Sequence, residues 1–146
     1  VGGFLYDASE KEFAATLGKS LPGGRAGALE LARDVQPLRI DPMGEGGGST
    51  DVGDVSYAVP TVGVRTATWV PGTPAHSWQA AACGATTICI KGRLVASKAL
   101  ALTAVDLFSQ PSALAQAKVE LQRRRGENFV YEPLLGDRPP ALDYRD

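Results

Sequence analysis

Few residues in this chain can do chemistry, and most of them fall between Gly46 and Gln79. His76 is the only histidine. A neutral imidazole binds divalent cations through one ring nitrogen near physiological pH. Asp51 and Asp54 follow the glycine triplet Gly46–Gly48 and the hydroxyl pair Ser49 and Thr50. Carboxylates there can serve as metal ligands, as groups that orient ligands, or as proton carriers. If a helix begins near Asp51, its free amides can also hold an anion such as a substrate carboxylate. Trp78 stands beside the histidine and can stack on an aromatic group. Arg65 can pair with a carboxylate. Each residue also has an ordinary reading: a solvated histidine, helix-cap carboxylates favoured by the dipole, a packed tryptophan, a structural ion pair.

The donor count limits what the site can be. Zinc centres draw on three or four protein ligands and two-metal hydrolytic centres on more, whereas this chain has one histidine. No GxSxG elbow, P-loop or GxGxxG fingerprint is present. No complete catalytic set is assigned to the chain. Cys83 and Cys89 form neither a CxxC motif nor a zinc-ribbon pattern, and they read as free thiols of a reducing, cytoplasmic compartment.

Composition narrows the class further. The 146 residues suffice for one domain with its own core. A net charge of -1 argues against general nucleic-acid binding, and the local run Arg123–Arg125 reads as a solvated helix end. No apolar run reaches the ~20 residues of a membrane span, and no signal peptide is visible. The chain opens on Val1 and reads as a piece of something longer.

The elements that must position these groups follow from patterning. Ser9–Glu12 reads as a capping box that starts a helix with Phe13 and Leu17 on one face and a stop at Gly18. Leu21–Gly24 reads as a turn, Arg25–Arg33 as a short helix, and 35–40 as an extended connector or short edge strand. Ser49 or Thr50 would cap a short helix from Asp51. Pro60–Val70 alternates in period two with β-branched residues, the signature of a strand. It ends at Pro71–Pro74, and His76 lies just beyond. Leu94–Phe108 is apolar around most of its circumference and predicts a covered helix packed on a sheet. Ser112–Arg125 predicts a helix with Leu114, Ala117 and Leu121 as its stripe. Residues 126–146 read as an irregular tail.

Three blocks in order, GSTDVGDVSY at Gly48–Tyr57 with Pro60-Thr61 after it, GTPAHSWQ at Gly72–Gln79 and KGRLVASKALALTAVDL at Lys91–Leu107, carry a resemblance. Together they resemble the C-terminal third of aminobenzoyl-glutamate hydrolase-type amidohydrolases, of the aminoacylase and carboxypeptidase-G family of metallopeptidases. The likeness runs roughly from Ser9 to Arg125.

The resemblance implies an α/β fold: residues 1–125 would be the C-terminal part of a mixed-sheet, helix-flanked catalytic domain. It implies two divalent metal ions, zinc or manganese, that activate water against the amide bond of an N-acyl amino acid such as an aromatic acyl-glutamate or acyl-aspartate. His76 matches a metal ligand of that family. Ser49, Thr50, Asp51, Asp54 and Trp78 take substrate-binding or ligand-orienting places. The family's upstream ligands, a His-x-Asp-Gly segment, a later aspartate and a Glu-Glu pair, have no counterpart here. The expected partners are therefore the missing N-terminal catalytic portion, in the same longer chain or a separate subunit, and a second copy in a homodimer. Alone, the chain is expected to be inactive. The alternative is a non-catalytic binding or structural subunit that keeps the fold.

Overall fold

Helix formation starts where the chain can satisfy its first amides. In the computed structural model, which describes residues 3–38, 50–133 and 135–143, α1 spans Ala8–Gly18. Its cap is Asp7 rather than Ser9. The Asp7 carboxylate accepts the Glu10 amide at 2.9 Å, and Glu10 Oε2 accepts the Asp7 amide at 2.9 Å. The box sits two residues before the expected one because Glu10, unlike Glu12, turns inward. Its side chain is 2% exposed and meets Lys91 Nζ at 2.7 Å and the Thr87 hydroxyl at 2.6 Å. One carboxylate thus closes the start of α1 and ties it to a helix 77 residues further along.

After α1 the chain turns through Leu21–Gly24, as expected. Only Leu29–Ala32 is helical beyond it, as one 3-10 turn. The longer helix expected over Arg25–Arg33 is prevented at Gly27, whose amide donates to the Pro71 carbonyl at 2.8 Å instead of joining a helical ladder. Further on, α2 covers Val52–Ala58, α3 Trp78–Gly84, α4 Thr87–Ser109 and α5 Pro111–Arg125.

The expected α/β mixed sheet is not there. The described residues form helices and irregular chain, with no strand among them. Pro60–Val70 has the side chains of a strand, but a strand also needs a paired backbone and a buried face. Thr61–Arg65 is exposed at every position, with Val62 81% exposed, so the alternation separates no inside from outside. Further along, the backbone goes to other partners. The Trp69 carbonyl accepts the Tyr6 hydroxyl at 3.3 Å, and the Val70 amide points at Cys83 Sγ at 3.5 Å. The segment is a strap, not a strand.

The chain gathers into two units, one from Val1–Met43 with Gly63–Ser109 and one from Gly44–Val62 with Gln110–Asp146. The first owns the core: Tyr6, Ala14, Leu17, Leu21, Ala32, Val70, Cys83 and Ile88. Cys83 and Cys89 are both free and buried, as their spacing suggested. The strap crosses α4 at Gly92, where an added Cβ would overlap the Ala67 carbonyl oxygen. Only glycine admits so close a backbone approach. The covering expected over Leu94–Phe108 is not found: the buried residues of α4, Ile88, Cys89 and Gly92, all precede that span. From Leu100 to Ser109 every residue is exposed, and no sheet covers it among the described residues.

In the second unit α5 matches its expected span, with Pro111 in its first turn and Gly126 at φ +85° after its end. Of its terminal arginines, Arg123 and Arg124 are exposed as expected, and Arg125 is half-buried. Arg124 pairs with Glu120 at 2.6 Å, and Arg125 Nη1 donates to the Tyr57 carbonyl at 3.0 Å. No described helix is long and apolar enough to cross a membrane.

Two outcomes test this packing. Gly92→Ala should lower unfolding free energy by about 2–3 kcal/mol in urea titrations, since backbone must move to admit the methyl. Gly84→Ala, at a helical glycine with nothing within 4 Å of the new methyl, should be neutral or slightly stabilising. The Glu10 clamp has a pH signature. Burial opposes ionisation of Glu10, but the bonds from Lys91, Thr87 and the Asp7 amide outweigh it and hold its pKa below the usual glutamate range. A depressed carboxylate stabilises the fold above its unfolded pKa and loses that contribution as pH falls through the folded one. Thermal melts should therefore show an acid loss below the ordinary glutamate range that Glu10→Gln weakens, at a cost of about 1–3 kcal/mol at neutral pH.

Candidate functional site

The expected site residues fall into two groups, one in each unit. In the first unit the strap leads to the histidine. Val70 anchors it, 1% exposed, and the Thr73 amide donates back to the Val70 carbonyl at 3.1 Å. The Pro71 carbonyl is held by Gly27, so the turn into Pro74 starts from a fixed point. After it, the Ser77 hydroxyl donates to the Pro74 carbonyl at 2.7 Å and accepts the Ala80 amide at 3.1 Å, which starts α3. Gln79, 8% exposed, secures that helix by donating to the Ser20 carbonyl at 3.1 Å.

His76 is caught between these two fixtures. Its φ is +56°, and it is the one non-glycine residue with positive φ among the described residues. That region costs an L-residue roughly 1–2 kcal/mol. The side chain is exposed and makes no hydrogen bond among the described residues. The fold therefore tolerates strain to hold an open imidazole at the start of α3. Trp78 is two residues on, 64% exposed, so it is not a core tryptophan.

The second group lies around the start of α2. Asp51 occupies the cap position without a side-chain cap bond, and the Thr50 hydroxyl accepts the Val52 amide at 3.3 Å in its place. Asp54 lies in the first turn, and its Oδ1 accepts the Tyr131 hydroxyl at 2.5 Å. Tyr57, one turn later, is stacked against Phe129 and Tyr131 with ring centroids 5.4 and 5.9 Å away. Ser49 and the glycine triplet lie outside the described residues. Arg65 is exposed and forms no ion pair among the described residues.

Sequence reasoning missed Tyr131, Phe129 and Arg125, which hold α2. The available signal was the apolar cluster Phe129-Val130-Tyr131, three residues after the helix-stopping Gly126.

These donors do not make a metal centre by themselves. No three His, Cys, Asp or Glu side chains gather among the described residues in a way that could hold a metal ion. The chain offers one open imidazole, too few donors for either ion of a two-metal site. No step can be built through a metal from these residues.

No family model and no solved structure matches the chain. Among curated proteins, a p-aminobenzoyl-glutamate hydrolase subunit of Escherichia coli (strain K12) is 41% identical over 75 residues, covering 51% of this chain and 16% of that protein. The chain thus spans about one sixth of the relative it matches. Because φ +56° strains His76, His76→Gly should raise the unfolding free energy by up to about 1 kcal/mol and His76→Val should lower it, both read from chemical denaturation. Over those 75 residues the chain resembles part of a p-aminobenzoyl-glutamate hydrolase subunit.

Proposed function

We propose that this chain is one part of an amidohydrolase that cleaves the amide bond of an N-acyl amino acid of the p-aminobenzoyl-glutamate type. His76 serves there as one donor to a divalent cation, zinc or manganese. The remaining donors and the catalytic base come from protein outside the described residues, in the same longer chain or another subunit, and the assembled enzyme pairs as a dimer.

The observation that carries this reading is the strained, exposed His76, held between the Pro71 anchor and the Ser77 cap. A solvated histidine of no function gains nothing from a left-handed backbone, whereas a ligand whose direction matters can. The 41% identity to a hydrolase subunit supports the reaction class. Thr50, Asp51 and Asp54 at the start of α2, with Ser49 before them, are assigned to the substrate side, and Trp78 to stacking on an aromatic acyl group.

His76→Asn is the discriminating variant, because asparagine tolerates the left-handed region and so spares the fold. In the complete enzyme it should lower hydrolysis of p-aminobenzoyl-glutamate on the order of 100-fold or more and reduce bound metal per active centre by elemental analysis. Unchanged metal content together with unchanged turnover would remove the ligand assignment.

A further inference from the structure

The short helix α2 has no buried residue, so few contacts fix its place. Within its unit it is held by the chain just after α5. Tyr57 lies nearly parallel to Phe129 and to Tyr131, with interplanar angles of 17° and 15°. Arg125 grips the Tyr57 carbonyl and lies over the Phe129 ring at 5.9 Å. The rings and the guanidinium account for holding the helix. The phenol of Tyr131 does something additional: it donates to Asp54 Oδ1 at 2.5 Å.

That bond leaves the other half of the carboxylate open. Asp54 is exposed, and its Oδ2 has no hydrogen bond among the described residues. A carboxylate with one oxygen held and one presented to solvent is a directed acceptor. It suits a ligand group with an N–H to donate, such as an amide or amine. We propose that Tyr131 is a positioning residue for Asp54, fixing its carboxylate so that Oδ2 accepts an N–H of the acyl amino acid substrate; this rests on the substrate-side reading of Asp54. The tail after α5 is then a working part of the binding surface. A shift of the Tyr131 phenol above the ordinary tyrosine range, caused first by its bond to Asp54, is consistent with the contact.

Tyr131→Phe removes the hydroxyl and keeps the stacked ring, so the helix stays held. In the complete enzyme it should raise KM for p-aminobenzoyl-glutamate roughly three- to tenfold and leave kcat within about twofold. Combined with Asp54→Asn it should do no more than Asp54→Asn alone, because both remove one arrangement. In a second measurement, NMR titration of the Tyr131 ζ carbon in the 146-residue chain should return to the ordinary tyrosine range in Asp54→Asn. An unmoved titration, an unchanged KM in Tyr131→Phe or in Asp54→Asn, or effects that multiply in the double variant each overturn the proposal. An enzyme in which His76→Asn leaves hydrolysis intact overturns the cation reading alone, and one in which Tyr131→Phe leaves KM intact overturns this one alone.

Discussion

The first unit depends on a backbone crossing. At Gly92 the strap comes so close to α4 that no side chain fits between them. This contact sets the path of Ala67 to Pro71, buries Val70 and brings the Pro71 carbonyl to Gly27. The direction in which His76 leaves the fold follows from that path. The Glu10 clamp works on the same helix from the opposite end of the sequence, joining the start of α1 to Lys91, the neighbour of Gly92. Close packing of this kind moves as a unit, so a disturbance at the crossing is felt at the loop that carries the imidazole.

How much of this was legible depends on which physical signal carried it. α5 was legible because its punctuation is local: Pro111 at the start and Gly126 at the end satisfy or excuse backbone groups without tertiary help. The stop of α1 at Gly18 was legible for the same reason. Its start was misplaced because Asp7-x-x-Glu10 and Ser9-x-x-Glu12 are equally good boxes in isolation. Lys91 and Thr87, far away in sequence, decide between them.

The strand was misread for a different reason. Period-two alternation reports what side chains prefer, while a sheet needs a second backbone at hydrogen-bonding distance. The Pro60–Val70 run has the preference, but Ala67–Val70 is committed to Tyr6, Cys83 and α4. The apolar circumference of α4 was misread with it, since its second half is exposed rather than covered. At the candidate site, His76 could be picked from its uniqueness and its turn, but its strained backbone could not. The role of the tail was invisible to periodicity because Phe129 and Tyr131 act from irregular chain.

These features make His76 the point on which the account turns, and anomalous scattering from crystals of the complete enzyme, collected at the edge of the metal it contains, tests it directly. The account predicts a cation peak about 2.0–2.1 Å from one imidazole nitrogen of His76, with its other donors contributed from beyond the residues described for this chain. A fully assembled enzyme with the His76 ring turned into solvent or packed in an apolar interior, and its cation bound elsewhere, would contradict it.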